Sequence, residues 1–312
     1  MSPCAYAMYM NGPTAISVPG KFDTRYLAFL ETITSLRPSL HHYCSRMTGS
    51  VMDGEDVVQE ALFEAYRKLE QFDDSRPLKP WLFRIAHNRS VDFLRRREVR
   101  AEAEQGVLMS DAVEPAEPAV LGLGSAVERL VTSLPPKERA CVLLKDVFDY
   151  SLDEIAELVD STVGGVKAAL NRGRTKLTAS SFPAKLPPGP SPELARIMQL
   201  YVDRFNRRDW DGVRELISAD ARLNVAERFA GKFADAPYFF NYDNWPWPWK
   251  LAVGEVDDEP VVAILRRDAD AWTPHSIIRI NLIGEKIQEI VDYIHCPWII
   301  SAAASVSVAE TT

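Results

Sequence analysis

Acidic and amide side chains crowd one short stretch of the sequence. Four carboxylates and one glutamine fall within eight residues, at Asp53, Glu55, Asp56, Gln59 and Glu60. Apolar residues recur at helical spacing between positions 56 and 69, so this stretch is predicted to be a helix. Its anionic face would bind a basic partner surface through charge and hydrogen bonds, although a merely solvated helix face is the simpler alternative.

Aromatic and cationic side chains are mixed in a second predicted helix, over residues 81–97. Holding an unstacked single strand of nucleic acid requires an aromatic or apolar surface beside cations that bind phosphate. The residues of these types are Trp81, Phe83, Arg84, Asn88, Arg95, Arg96 and Arg97. Trp81 fits equally well as a core anchor in a small helical bundle.

A short helix followed by a basic helix forms the third candidate site. Ser151 and Glu154 have capping-box spacing at the start of the short helix, and Asp160-Ser161 breaks the chain after it. The next helix, over residues 162–176, is basic on its outward face and small near its start, which predicts a helix-turn-helix that reads DNA. Its DNA-binding candidates are Thr162, Gly164, Gly165, Lys167, Ala168, Asn171, Arg172 and Lys176. A helical hairpin with a solvated basic face is the alternative.

Composition limits the class of protein. The formal net charge is −8, whereas a free-standing binder of duplex DNA is usually basic, so the composition argues against strong autonomous DNA binding. It does not argue against local basic patches on a protein that a larger machine holds at DNA. The four cysteines lie far apart, which indicates a reducing cytoplasm and neither a disulfide framework nor a zinc site. The close spacing of His41, His42 and Cys44 is better explained by one buried turn of helix than by a metal site. No apolar run is long enough to span a membrane, and no cofactor is predicted.

Composition shifts divide the chain into folded blocks. Residues 98–125 are acidic with scattered Gly, Pro and Ala, and residues 178–192 are rich in Pro and Ser, so both are predicted to be linkers. The other predicted boundaries are a disordered leader over 1–23, folded blocks over 24–97, 126–177 and 193–300, and a tail over 301–312.

Periodicity predicts different fold classes for these blocks. The first two are all-α. The third starts with an amphipathic helix whose apolar stripe runs from Leu194 to Phe205, and then changes to strand patterns. Strands are expected over 250–253, 260–265, 275–283 and 286–295, with a tight hairpin at Gly284-Glu285. Helices followed by a curved antiparallel sheet make this block α+β.

The first two blocks resemble extracytoplasmic-function (ECF) sigma factors of bacterial RNA polymerase. Region 2 of that family is matched by Asp53-Gly-Glu55-Asp56-Val-Val-Gln59-Glu60 and Pro80-Trp81-Leu82-Phe83-Arg84-Ile85-Ala86, and region 4 by Leu134-Pro135-Pro136-Lys-Glu138-Arg139 and Tyr150-Ser151-x-x-Glu154-Ile155-Ala156.

Several roles follow from that resemblance. It implies that the acidic helix of region 2 binds the β′ clamp helices of core polymerase, and that residues 81–97 melt and read the −10 promoter element. It also implies that region 4 binds the β flap and reads the −35 element with its helix-turn-helix. The acidic linker would thread the nucleic-acid channel of polymerase, for which a plain tether is the alternative.

The third block resembles the SnoaL-like members of the NTF2-like fold. The matching residues are Tyr201-Val-Asp-Arg-Phe205-Asn206, Ala221-Arg222-Leu223 and Glu289-Ile-Val-Asp292-Tyr293. The resemblance implies a cone-shaped sheet with helices around a pocket, in a domain that tunes sigma activity by contacting the sigma regions.

No residue of the third block is assigned a catalytic role. The polar candidates are Asp220, Tyr242, Asp243, His275, Arg279, Asp292 and His295. No carboxylate pair or His/Asp pair among them has a spacing that compels a mechanism, so a non-enzymatic regulatory domain is expected. The alternative to a sigma factor is a small-molecule isomerase, hydrolase or ligand sensor fused to a DNA-binding regulator.

An aromatic segment is the last candidate site. Seven aromatic residues fall within residues 238–249, where alternating prolines exclude a central strand. An extended loop or edge is therefore expected. It would either seal the mouth of its own pocket or dock a sigma region or the Pro-rich linker, through Tyr242, Trp245, Trp247 and Trp249.

Overall fold

The computed structural model describes residues 22–73, 75–108, 133–179, 190–269 and 271–309. The chain divides into two compact units between Arg37 and Pro38, within the first helix, and all contacts below belong to the unit from Pro38 onward. None of the helices in the described ranges has the length and apolar character needed to cross a membrane. The predicted leader lies outside the described residues except for its last two positions.

Three helices build the first block: α1 (Phe22–Thr48), α2 (Val51–Lys68) and α3 (Leu78–Leu108). Gly49 and Ser50 separate α1 from α2. Gly49 has a φ of 89°, and the Ser50 side chain accepts the Asp53 backbone N–H at 3.4 Å as an N-cap. α3 continues well past Arg97, so the start of the predicted 98–125 linker is helical. This correction follows from its content of Ala, Glu and Arg, which are strong helix formers; the rest of that linker lies outside the described residues.

The second block contains the expected helix-turn-helix. Its helices are α4 (Pro136–Val142), α5 (Leu152–Leu158) and α6 (Val163–Ala179). α4 continues into a π-turn over Leu143–Val147. The capping box is formed, since the Glu154 backbone N–H donates to Ser151 Oγ at 3.2 Å and the Ser151 N–H donates to the Glu154 carboxylate at 2.8 Å.

Aromatic rings join the two helical blocks. Phe148, just after the π-turn, packs against Tyr43 of α1 and Phe83 of α3, with ring centroids 5.8 and 5.4 Å apart. Tyr150 packs on Phe83 at 5.6 Å. Tyr43 and Phe83 are fully buried, so apolar burial and edge-to-face geometry hold the blocks together. Phe83 is therefore a core residue, and it is not on the surface that is predicted to bind single-stranded nucleic acid.

The third block is an α+β domain built on one seven-stranded sheet. Its helices are α7 (Pro192–Asn206), α8 (Trp210–Leu216), α9 (Tyr238–Asp243) and α10 (Trp298–Ala302). Its strands are β1 (Ile217–Val225), β2 (Phe229–Lys232), β3 (Trp249–Val256), β4 (Glu259–Asp268), β5 (Ala271–Ile283), β6 (Lys286–Asp292) and β7 (Val306–Val308), in the spatial order β2-β1-β6-β5-β4-β3-β7. β1 pairs with β6 in parallel and the other neighbours pair antiparallel, so the sheet is mixed and not purely antiparallel as predicted. β1 was not predicted because only Ala221 and Leu223 of its residues are buried.

Aromatic side chains fill the core between the helices and the sheet. The Phe205 ring centroid lies 4.9 Å from those of Trp210 and Tyr242 and 5.6 Å from that of Trp249. Residues 238–243 form α9, which corrects the prediction of an extended segment. The physical reason is that Tyr238 and Tyr242, four residues apart on a helix, both turn into the core.

The predicted tail after residue 300 belongs to the sheet, because β7 pairs with β3. The turn between β3 and β4 has positive φ angles of 52° at Asp257 and 64° at Asp258, as a type I′ turn requires. The Asp257 carboxylate accepts the backbone N–H groups of Ala304 and Ser305 at 2.7 and 3.0 Å. These bonds attach the segment before β7 to the β3–β4 turn, and they place the end of the domain beyond residue 300.

The variant Asp257→Ala should lower the free energy of unfolding of the α+β domain. It leaves two N–H groups without their acceptor, which costs about 1–3 kcal/mol. Thermal unfolding followed by tryptophan fluorescence measures the loss. Asp211→Asn is the control, since the Asp211 side chain is 95% exposed; equal melting temperatures for D257A and wild type would contradict the place of the tail in the sheet.

Candidate functional site: an acidic helix face and two basic helix faces

The acidic residues of α2 divide into a covered part and an exposed part. Asp53 and Glu55 are buried, Asp56 and Gln59 are partly buried, and Glu60 is exposed. The expectation of one open anionic face is therefore corrected for this conformation. The physical reason is that the α+β domain packs against the first turns of α2.

An arginine of the sheet pairs with Asp53. Arg279 of β5 donates to Asp53 Oδ1 at 3.0 Å and to Glu259 Oε2 of β4 at 3.2 Å. Beside this ion pair, Val51 and Met52 are buried in one apolar cluster with residues of the α+β domain that include Val261, Ile277 and Ile299. The start of α2 is thus sealed by both charge pairing and apolar burial.

The carboxylate of Glu55 is fully buried and bonded from both sides. The Trp298 indole N–H of α10 donates to Oε2 at 2.7 Å, and Cys296 Sγ lies 3.7 Å from Oε1. Within α2, Gln59 Nε2 donates to Oε1 at 3.3 Å. His41 Nε2 of α1 is 4.0 Å from Oε2 and bonds the carbonyl of the α2 start. We call this arrangement, in which Arg279, Cys296 and Trp298 contact the carboxylates of α2, the closed form.

Charge is unevenly distributed in this interface. Burial raises the pKa of Asp56 to about 7; Arg279 opposes the shift, and the neighbouring carboxylates of Asp53, Glu55 and Glu289 add to it. Burial likewise raises the pKa of Glu259, against the opposing effect of Arg279. The pKa of Arg279 itself is raised, because Tyr293 and the surrounding carboxylates outweigh its own burial. Burial therefore favours the protonated forms of Asp56 and Glu259, and the surrounding groups favour the charged form of Arg279.

The exposed part of α2 contains apolar residues that the sequence analysis missed. Phe63 is 64% and Tyr66 is 45% exposed, and with Gln59 they stand at helical spacing along one side of α2. Glu60 forms an ion pair with Arg96 of α3 at 3.2 Å. The sequence contains a signal for this, because Phe63 and Tyr66 fall outside the apolar stripe that buries α2. Two aromatic residues on the exposed side of a helix indicate a partner surface.

The predicted single-strand-binding residues follow one side of α3. Arg84, Asn88 and Arg95 are exposed and separated by four and seven residues, so they share a face with Trp81. Trp81 is half-buried, with its ring 4.6 Å from that of Phe72, so it combines an anchored position with an accessible edge. Arg96 and Arg97 are also exposed; Arg96 pairs as described, and Arg97 donates to the Thr48 carbonyl at 3.2 Å.

The outward side of α6 has the expected residues, and intramolecular ion pairs hold two of them. The exposed candidates are Thr162, Gly164, Lys167, Ala168, Asn171, Arg172 and Lys176, and Gly165 is partly buried. Glu138 of α4 accepts from Arg172 and from Lys176, both at 2.8 Å, and the bonds from Lys176 and Arg172 lower the pKa of its carboxyl. Lys167 and Asn171 instead line an open cleft of about 310 Å³.

The aromatic segment contributes partly to the core and partly to a groove. Tyr242 and Trp249 are buried, whereas Trp245 and Trp247 are half-buried. Together they line an open groove of about 410 Å³. Arg208 stands at its edge, with its guanidinium 3.6 Å from the Trp249 ring centroid.

Only two of the polar candidates of the α+β domain are brought together as a buried cluster. Asp292 accepts the hydroxyls of Tyr238 and Tyr242, at 2.8 and 2.7 Å, and all three side chains are buried. His275 instead packs edge-on against Trp247, and His295 packs at a tilt against Trp245. Within the described ranges no group of three or more His, Cys, Asp and Glu side chains is placed to hold a metal ion. The Asp292 cluster satisfies its own hydrogen bonds within the aromatic core, which is a structural arrangement.

Comparison with known proteins identifies the helical blocks. Residues 32–100 match the sequence family Sigma-70 region 2, and residues 125–177 match Sigma-70, region 4. The ECF RNA polymerase sigma factor SigW of Bacillus subtilis is 32% identical over 162 residues, which are 48% of this chain and 87% of SigW. The chain belongs to the ECF RNA polymerase sigma factors.

The similarity of this sigma factor to its relatives extends beyond the helical blocks. The ECF sigma factor SigG of Mycobacterium tuberculosis is 26% identical over 292 residues, covering 83% of this chain and 79% of SigG. The crystal structure of the M. tuberculosis ECF sigma factor SigJ covers 84% of this chain and 95% of its own, at 16% identity and a TM-score of 0.35.

The predicted fold class is confirmed for this sigma factor. α2 and the basic side of α3 lie in region 2, the helix-turn-helix lies in region 4, and a domain of helices and one mixed sheet follows. As a sigma factor, the chain directs polymerase to promoters. The assignment of single residues to polymerase or to DNA stays a prediction.

The buried Asp292 of this sigma factor should make the stability of its α+β domain dependent on pH. Burial raises the pKa of Asp292 to about 6, against the opposing bonds from Tyr242 and Tyr238. A folded pKa above the unfolded value means that stability is lost as pH rises from about 4 through about 6. The loss approaches about 3 kcal/mol.

Asp292→Asn should remove this dependence. The melting temperatures of wild type and D292N are compared over about pH 4.5 to 7.5. All other titratable groups are present in both proteins, so the difference between the two pH profiles reports Asp292. If the melting temperature of wild type falls no more steeply with rising pH than that of D292N, Asp292 is not the buried acid described.

Proposed function

We propose how the surfaces of this ECF sigma factor divide the work of promoter-directed initiation in the cytoplasm. The acidic side of α2, through Asp53, Glu55, Asp56, Gln59 and Glu60, binds the β′ clamp helices of core polymerase. The exposed side of α3 reads the −10 element, and α6 reads the −35 element while its region binds the β flap. The observation that carries the proposal is the acidic side of α2, whose charge and hydrogen-bonding capacity need a basic protein partner.

The exposed end of α2 supports this assignment. Gln59 and Glu60 offer polar contacts next to the apolar rings of Phe63 and Tyr66. An aromatic core with a polar rim is the usual composition of a protein–protein interface. Phe63 and Tyr66 therefore join the proposed polymerase-binding surface.

The covered end of α2 implies that the α+β domain regulates the factor. Asp53 and Glu55 become available to polymerase only when Arg279 and Trp298 leave them, because both residues are buried under the α+β domain, where Asp53 Oδ1 accepts from Arg279 and Glu55 Oε2 accepts from Trp298. The α+β domain and polymerase then compete for the same carboxylates. The closed form is thus the form with low affinity for polymerase, and displacement of the domain gives the active form.

The packing of region 4 on region 2 also has to change for promoter binding. The positions −10 and −35 are about 25 base pairs apart, which corresponds to about 85 Å along B-form DNA. In the closed form Phe148 holds region 4 against Phe83 of region 2. We infer that Phe148 leaves this site when both elements are bound.

Trp298→Phe should increase the affinity for core polymerase. The variant keeps a ring in the interface but removes the N–H that bonds Glu55, a charge-assisted bond worth about 1.5–3 kcal/mol. If the factor is predominantly closed, the dissociation constant for core should fall between about tenfold and about a hundredfold, and initiation from a matched promoter at limiting factor should rise.

Trp272→Phe is the matched control for that experiment. Trp272 is 36% exposed in β5 and its ring contacts Lys250 within the same domain, so its replacement should leave core binding unchanged. An unchanged dissociation constant in both variants, with both proteins folded, would rule out competition at Glu55.

Lys167→Ala should weaken the binding of the holoenzyme to its promoter. If Lys167 neutralises one −35 phosphate, its loss reduces the slope of log affinity against log salt by about 1. Lys250→Ala, a lysine of the α+β domain, should change neither affinity nor slope. A slope that is identical for K167A and wild type would remove Lys167 from the DNA-binding surface.

A further inference from the structure

Carboxylates outnumber cations in the interface that closes α2. Asp53 and Asp56 enter from α2 and Glu259 from β4, and Arg279 of β5 pairs with both Asp53 and Glu259. Arg279 has a side chain that is only 20% exposed, and those of Asp53 and Glu259 are 12% and 10% exposed. One guanidinium therefore bonds two carboxylates that are largely out of contact with water, and its charge also acts on the partly buried Asp56.

The other groups around this cluster add more acid than base. α2 contributes Glu55 and β6 contributes Glu289, which both act on Asp56. From the end of β6, Tyr293 also faces Arg279. On α1, His41 faces Glu55, and it bonds the Val51 carbonyl through Nε2.

The remaining basic neighbour is engaged elsewhere. Arg46 of α1 donates to the Ala302 carbonyl at 3.3 Å, and its charge acts on Asp257 at the β3–β4 turn. The Ser50 side chain bonds Glu259 and contributes no charge. Among the described residues around the cluster, Arg279 thus supplies most of the positive charge that balances the carboxylates.

Removing unbalanced carboxylates from water is costly, and protonation relieves the cost. When α2 is not covered, Asp53 and Asp56 lie on the surface of a helix and are hydrated. The two forms of the protein should therefore differ in the number of protons that they bind.

We propose that the α+β domain closes on α2 together with one proton, held by Asp56 or Glu259 beside Arg279, so that acid favours the closed form and alkali favours the open form. The inference rests on the proposed regulation of α2 by this domain and adds the signal to which it responds. It concerns the closing equilibrium itself, and it can be measured without polymerase.

The direction and size follow from the groups involved. Burial raises the pKa of Asp56 to about 7 and also raises that of Glu259. A carboxyl whose pKa is higher in the closed form stabilises that form at low pH, and the stabilisation is lost as pH rises through about 7. For one proton, the closing constant should fall about tenfold between about pH 6 and pH 8.

Hydrogen exchange of the Trp298 indole N–H measures this constant in the full-length protein, even when the open form is rare. That N–H is bonded across the interface to Glu55. With ¹⁵N-labelled tryptophan, its resonance is assigned among the seven by comparison with Trp298→Phe. The protection factor, corrected for the intrinsic effect of pH on exchange, equals the closing constant.

Trp249 is the internal control. Its indole N–H donates to the Tyr242 carbonyl at 2.9 Å within the core of the same domain, so it reports unfolding of the domain and not its release from α2. The protection factor of Trp298 is expected to fall about tenfold from about pH 6 to pH 8. The ratio of the Trp298 protection factor to that of Trp249 should fall by the same factor.

Two variants locate the proton. Asp56→Asn and Glu259→Gln each replace an acid by an uncharged amide, and at least one of them should make the Trp298 protection factor independent of pH. A wild-type protection factor that does not change with pH overturns the proposal. So does an unchanged slope in both variants, which would place the proton on a group other than Asp56 and Glu259.

Core binding by wild type and Glu259→Gln over the same pH range separates this inference from the proposed function. Glu259 lies on β4, outside the proposed polymerase-binding surface. If competition holds, the affinity for core rises with pH in wild type, and it rises less in E259Q when that variant also lowers the pH dependence of the Trp298 protection factor. If the Trp298 protection factor depends on pH but core affinity does not, then closing is proton-linked and the competition with polymerase is wrong.

Discussion

The buried carboxylate of Glu55 is the constraint on which the closed form depends. An ionised carboxylate removed from water destabilises a fold by several kcal/mol unless hydrogen bonds and charge replace its hydration. Here Trp298 replaces water at Glu55, as Arg279 does at Asp53. In the closed form the α+β domain covers Asp53 and Glu55, so a second protein cannot reach them. The proposed competition between domain and polymerase follows from this burial.

The rest of the molecule supports this contact with rigid elements. Arg279 and Glu259 stand on neighbouring strands, and Trp298 starts a helix whose following segment is attached by Asp257 to the β3–β4 turn. The sheet is held in turn by an aromatic core centred on Phe205. Besides this core, the domain has the open groove lined by Trp245 and Trp247, on which nothing in the contact with α2 depends.

Local features were predictable from the sequence, and contacts between distant segments were not. The capping box at Ser151, the helix-turn-helix and the acidic helix depend on spacing within a few residues. Which carboxylates of α2 are covered depends on Arg279 and Trp298, more than 220 residues away along the chain. The parallel pairing of β1 with β6 and the place of the tail in the sheet are likewise long-range. The aromatic segment was misjudged because prolines after Asn244 dominated its pattern, although residues 238–243 have helical spacing.

The most direct test of competition at α2 is a cryo-electron microscopy structure of the full-length chain bound to core polymerase. We predict that polymerase contacts the side of α2 that carries Asp53, Glu55 and Glu60, and that the bonds from Arg279 to Asp53 and from Trp298 to Glu55 are absent. An engaged holoenzyme in which both bonds persist would contradict the account, because polymerase would then bind this sigma factor without displacing its α+β domain.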